Sequence, residues 1–364
     1  MTDRTGHVAA LDGLRAVAVL SVVIHHAWGA ALPGGWVGVD VFFVLSGHLI
    51  TSLLVAEHAS TGRISVSRFY LRRALRLLPA LALALPLGVG LAAIARPDLA
   101  TATVHEALAA AAYVANWWVA LGGDPQTGLL SHTWSLSVEE QFYVVWPLAL
   151  CALLALGGRR LSLWATVGAV ALVVVQRHMI AGVGTNFRTD TRADSLLVGC
   201  AIALLAAGCQ LHRVPLRAVR LHAAVGTAVV LLTAALVGNA AALPAEGLTI
   251  VACAAGAIVV AIAVRPLELP SRLLAWRPLA ALGRRSYGVY LFHFPLVAGV
   301  IVPRLGPGPV AAAVAVAGST LIACASYRYL EAPFLRLKVR SVPASPPILA
   351  PGARQTGRPV TEIT

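Results

Sequence analysis

The apolar positions of this chain fall in ten long runs, readable near 11–32, 36–56, 74–95, 134–156, 161–181, 192–209, 218–238, 247–264, 286–302 and 308–330. Crossing a hydrocarbon core of about 30 Å takes roughly 20 helical residues, and the runs are of that order. Short polar stretches, such as LPGG at 32–35 and GGRR at 157–160, separate them. The pattern predicts an all-α polytopic membrane bundle of about ten transmembrane helices. A further piece, 104–121, is short and holds His105, Glu106 and the run Asn116-Trp117-Trp118. It is expected to lie on or dip into the outer face, where paired tryptophans suit the interface.

Composition agrees with that pattern. The chain is 59% hydrophobic and 12% charged, with a mean hydropathy of +0.81, which excludes a soluble domain. The net charge of +13 does not point to nucleic acid, because the basic residues sit in short loops between apolar runs. If 104–121 does not span and the N-terminus is cytoplasmic, only five of the 28 Lys and Arg fall outside: Arg96, Arg177, Arg188, Arg192 and Arg304. The positive-inside rule then sets both termini in the cytoplasm, in the cytoplasmic membrane. Residues 1–338 are expected to form the membrane domain and 339–364, Pro-rich and without periodicity, a disordered cytoplasmic tail. The five cysteines, Cys151, Cys200, Cys209, Cys253 and Cys324, are odd in number, lie in apolar segments and form no CxxC pair. Neither a disulfide framework nor a metal site is expected. A cleaved signal peptide ending near Ala30-Ala31 would discard Arg15 and both histidines, so the first run is read as a retained span.

Ionisable side chains within a span mark functional sites by default. The stretch Leu11 to Thr51 holds Arg15, His25-His26 and Asp40. Arg15 and His26 are eleven positions apart, which returns them to nearly the same helix face about 16 Å apart along the axis. His25 faces another way. Asp40 enters the second span at a depth similar to His26, and an aspartate that orients an imidazole is part of a base that activates a hydroxyl. Glu139 and Glu140, in HTWSLSVEEQFY, lie too deep in an apolar run to serve only as helix caps. His26, Asp40 and Glu139 are the expected catalytic set. Arg72, Arg73 and Arg76 recur at helical spacing, as a lipid-facing topology signal or as a grip on phosphate. Arg192 and Asp194 either pair with each other or clamp an acceptor. Tyr290 and His293, three apart, share a face.

Taken in order, LDGLRAVAVLSVVIHH, VGVDVFFVLSGHLIT, FYLRRALRLLP, HTWSLSVEEQFYVVWP, TRADSLLVG, GRRSYGVYLFHFP and YLEAPF resemble the acyltransferase-3 family of integral membrane O-acyltransferases. His48 is a departure, since a Phe commonly follows that Ser-Gly. The resemblance implies transfer of an acyl group, often acetyl, to a hydroxyl of a sugar, cell-surface glycan or glycosylated metabolite such as a macrolide. It places the family's basic residue and histidine eleven positions later on Arg15 and His26, and its Arg-x-x-Arg motif on Arg73 and Arg76. Some members carry a fused extracytoplasmic esterase-like domain; here such a partner is expected as a separate chain. Acyl-CoA is then the expected donor, held by Arg15, Arg73 and Arg76, with no permanently bound cofactor. Arg192, Asp194, Tyr290 and His293 would line the acceptor side. Direct transfer ranks above a covalent relay through His26 or Ser46. A transporter or flippase of a glycolipid or acyl carrier is the alternative class.

Overall fold

The structure, a computed structural model, describes residues 8–123, 128–180, 183–208, 214–264 and 268–341. Among the described residues there is no strand, and helix follows helix. Helices α1 (Ala9–Ala27) and α2 (Val37–Thr61) form on the first two apolar runs. They are joined through Pro33-Gly34-Gly35, a sequence that cannot continue a helix. α3 (Val66–Ala95) starts well before the expected residue 74, because Arg68, Arg72, Arg73 and Arg76 are good helix formers that extend the apolar helix. The piece at 104–121 becomes two short helices, α4 (Ala100–Ala111) and α5 (Ala115–Ala120), neither long enough to span.

α6 (Trp134–Met179) covers two of the expected spans. It is broken at Gly157 (φ −158°) and Gly158 (φ 64°, ψ −162°), and the second of these conformations is open essentially to glycine alone. α7 (Thr189–Ala206), α8 (Leu216–Leu236) and α9 (Gly247–Val264) follow. Two short helices, α10 (Leu269–Leu274) and α11 (Arg277–Arg284), precede α12 (Ser286–Leu296). α12 runs through a wide turn at Val297–Ile301 into α13 (Val302–Leu305). α14 (Pro309–Ser326) runs through a second, at Tyr327–Glu331, into α15 (Ala332–Ser341).

Among the described residues, eight helical stretches are long and apolar enough to cross a membrane. The expected count of about ten is recovered from two sources. The stretch that includes α6 is two spans separated by its glycine break, and α7 carries Asp190, Arg192 and Asp194 within 18 residues, too many charges to qualify by hydropathy. The molecule is an all-α, multi-pass membrane bundle. Helical backbone continues to Ser341; residues 342–364, most of the expected tail, lie outside the described residues.

Helices α2 and α7 cross at close range. A Cβ on Gly47 would stand 1.9 Å from the carbonyl oxygen of Leu196, and one on Gly199 would stand 2.1 Å from that of Val44. Without side chains at these two points the backbones touch. The first turns of α7 are thereby laid against Asp40 on α2. α1 packs against α2, α11, α12 and α14, and so sits inside the bundle. Cys151, Cys200, Cys253 and Cys324 are free thiols; Cys209 lies outside the described residues.

Candidate active site

Two cavities lie along α1. The first, of about 100 Å³, is lined by Arg15, Arg73, Arg76, Ser46, Glu139 and Glu140 among others. The second, of about 490 Å³, is lined by His25, His26, His132, Trp134, Arg192 and Phe294 among others. Val39 and Tyr290 belong to the walls of both. The eleven-residue spacing on α1 therefore puts a guanidinium in one chamber and an imidazole in the next.

In the arginine cavity, the three arginines are not equivalent. Arg73 donates to Glu140 Oε1 from Nε (2.9 Å) and from Nη2 (2.6 Å). Its guanidinium also lies 3.2 Å above the ring centroid of Tyr143. Arg73 is thus already matched by a carboxylate and an aromatic face. Arg15 and Arg76 form no ion pair among the described residues, so their charge remains available to an anion. Glu139 accepts from the Ser46 hydroxyl at 2.5 Å and from the Tyr143 hydroxyl. It belongs to this chamber and makes no contact with His26. Tyr113, outside the spans, also lines this cavity and has a positive φ of 55°. Burial, reinforced by Glu140 and opposed by Arg73, pushes its phenol up to about 12, so it stays a proton donor at neutral pH.

In the histidine cavity, His26 Nδ1 lies 3.2 Å from Nε2 of His293. The Phe294 ring meets that of His26 edge-on at 5.0 Å. His293 is fully buried behind His26 and is not a wall residue. Its Nδ1 donates to the carbonyl oxygen of Tyr290 at 2.5 Å. His132 donates from Nε2 to the carbonyl of Leu291 at 3.2 Å and stacks on Phe294. The Tyr290 hydroxyl donates to the His132 carbonyl at 2.9 Å and lies 2.7 Å from the Ser135 hydroxyl. His25 is tied to the following loop through a 3.2 Å bond from Nδ1 to the Leu32 carbonyl. Among the described residues no three His, Cys, Asp or Glu side chains are placed to hold a metal ion.

The ion pairs of Asp40, Arg192 and Asp194 differ from those expected. Asp40 does not orient His26. It is fully buried, accepts from the Ser195 hydroxyl at 3.0 Å and pairs with Arg192 Nη2 at 3.1 Å. The glycine crossing of α2 and α7 brings it a cation, and a carboxylate taken out of water is stabilised most by such a partner. Arg192 and Asp194 do not pair with each other: Asp194 pairs with Arg177 and accepts from the Thr249 hydroxyl at 2.6 Å. Asp194 and His293 line neither cavity, whereas Arg192 and Tyr290 line the histidine cavity. The Arg192 guanidinium is 5.6 Å from the Trp134 ring and 5.7 Å from that of Phe43. His48 is buried and also lines neither cavity.

The sequence reading passed over His132, Ser135 and Tyr143 as site residues and left Glu140 without a partner. A signal for the first three existed. His132, Ser135, Glu139 and Tyr143 follow one another at intervals of three and four and so share one face of the helix start. The Arg73–Glu140 pair has no such signature, because it joins α3 to α6.

The chain is similar to known proteins over most of its length. The profile of a family described as an acyltransferase domain matches residues 8–328. An O-acetyltransferase OatA of Staphylococcus aureus (strain NCTC 8325 / PS 47) is 34% identical over 344 residues, covering 90% of this chain and 57% of that protein. A peptidoglycan O-acetyltransferase OatA of Listeria monocytogenes is 33% identical over 349 residues, with 90% and 56% covered. A putative peptidoglycan O-acetyltransferase YrhL of Bacillus subtilis is 34% identical over 316 residues, with 81% and 49% covered. The chain thus spans about half the length of these curated relatives. No solved structure matches it significantly.

Proposed function

The chain belongs to the acyltransferase-3 family, and from that premise we propose that it transfers an acyl group, acetyl in the first instance, from cytoplasmic acyl-CoA to a hydroxyl of a peptidoglycan-type glycan. The observation that carries the reading is the pair of chambers along α1, one with Arg15 and Arg76, unpaired among the described residues, and one with His26, sharing Val39 and Tyr290. The names of the relatives from Staphylococcus and Listeria favour acetyl and glycan.

In this reading the phosphates of the donor rest on Arg15 and Arg76 by charge-assisted hydrogen bonds. Arg73 fixes the shape of the site through Glu140 and Tyr143. The pantetheine arm passes between Val39 and Tyr290 and presents its thioester beside His26. The acceptor occupies the larger chamber, whose aromatic side chains suit the faces of a sugar ring. His26 takes the hydroxyl proton as the oxygen attacks the thioester carbonyl carbon. The carbon–sulfur bond then breaks, the thiolate takes that proton from His26, and an ester and a free thiol result.

The test uses the purified chain in proteoliposomes with radiolabelled acetyl-CoA and a peptidoglycan-derived oligosaccharide. Label should appear in the oligosaccharide with the native chain and not with His26→Ala. Undiminished transfer by folded His26→Ala protein would overturn the assignment of the base.

A further inference from the structure

The contacts of His293 determine more than its own position. Its Nδ1 lies 2.5 Å from the carbonyl oxygen of Tyr290, an atom that only accepts, so Nδ1 carries a proton. His293 is fully buried, with the rings of His26 and His132 each centred 5.2 Å from its own. A second proton would put an unpaired charge into that packed cluster, so the neutral ring is the form that fits. Its Nε2 is then a bare lone pair, and the atom facing it at 3.2 Å is Nδ1 of His26. His26 must therefore donate from Nδ1. Its own Nε2 is left without a proton.

From this chain of donors we propose that His293 is the positioning residue of the transfer reaction: it fixes the tautomer of His26 so that Nε2 is the base atom. The proposal rests on the reading of His26 as base and gives His293 a role away from the acceptor. The role is one an aspartate commonly fills, by holding the proton on the far nitrogen of a catalytic imidazole. Here Asp40 is taken up by Arg192 and Ser195, and a neutral imidazole does the same work without a buried negative charge. When His26 Nε2 receives the acceptor's proton, Nδ1–H stays on His293 and that bond becomes charge-assisted. The proton leaves by the same Nε2 to the departing thiolate, so His293 exchanges none.

Three variants test this in proteoliposomes with labelled acetyl-CoA and the oligosaccharide, each checked for folding by thermal denaturation. His293→Gln places an amide oxygen near the position of Nε2 and can still accept from His26. His293→Asn can still donate to the Tyr290 carbonyl but is too short to reach His26. His293→Leu removes both contacts. The expected result is a kcat lower by about 10- to 100-fold for Asn and Leu. KM for both substrates should be unchanged, and Gln should recover most of the loss. The comparison of Gln with Asn stands even if Leu fails to fold. Native kcat in folded Asn protein, or equal losses in Gln and Asn, would overturn the positioning role while His26→Ala remains inactive. Activity in His26→Ala would instead overturn the underlying assignment, and this proposal with it.

Discussion

Asp40 and Arg192 are 0% and 3% exposed at their side chains and hold each other across the α2–α7 crossing. Removing one member of such a pair strands the other charge, at a cost of about 3–5 kcal/mol. Asp40→Ala should therefore lower thermal stability in detergent sharply. Adding Arg192→Met should restore much of it, a coupling that a double-mutant cycle of unfolding midpoints measures. The arginines of the other chamber separate by the same reasoning. Arg73→Ala strands Glu140 and should lower stability, whereas Arg15→Ala removes a charge with no ion-pair partner among the described residues and should leave the unfolding midpoint close to native. Arg15→Ala should instead raise KM for acyl-CoA about tenfold, the usual loss of one charge-assisted contact. Arg15 and His26 could be read from sequence because their relation is a spacing on one helix. The partners of Asp40, Asp194 and Arg73 could not, because each pair is created by tertiary contact between two different helices.

At the scale of elements, two glycine features decide how the chambers are built. Gly47 and Gly199 let α2 and α7 meet at backbone distance. Gly199→Val should push the helices apart, separate Arg192 from Asp40, and lower both the unfolding midpoint and activity. The break in α6 depends on Gly158, whose φ of 64° and ψ of −162° strain any other residue by about 1–3 kcal/mol. Gly158→Ala should cost stability of that order while leaving KM for the donor unchanged, since no cavity residue is near it in sequence. The apolar runs located nearly every helix, and the charge distribution correctly kept 104–121 from being read as a span. Boundaries were less legible where charge and helix coexist. α3 extends back through its arginines, and the charges of α7 hide it from a hydropathy criterion, because helix formation follows backbone propensity and tertiary packing as well as apolarity.

On the proposed reading, the whole molecule must let a donor from one side of the membrane meet an acceptor from the other without opening a continuous aqueous pore. Two chambers with a common wall satisfy that demand. Val39 and Tyr290 line both, and Tyr290 is braced by the His132 carbonyl and the Ser135 hydroxyl. The narrow chamber, about 100 Å³, suits an extended chain, and the larger one, about 490 Å³, has room for a sugar unit. If the thioester reaches His26 across this wall, then thickening the wall should separate binding from transfer. Val39→Phe adds a ring at the boundary and leaves Arg15 and Arg76 untouched. Calorimetric affinity for coenzyme A, which tests the arginine end, should stay within about twofold of native. Acetyl transfer to the oligosaccharide should fall by about 100-fold, the scale of loss when reacting groups are held an ångström or so out of place. Affinity and transfer falling together would mean that the substitution had disturbed the donor chamber itself. Native transfer with native affinity would mean that the acyl group reaches His26 by another route, and the two-chamber account of how the ester is made would have to be abandoned.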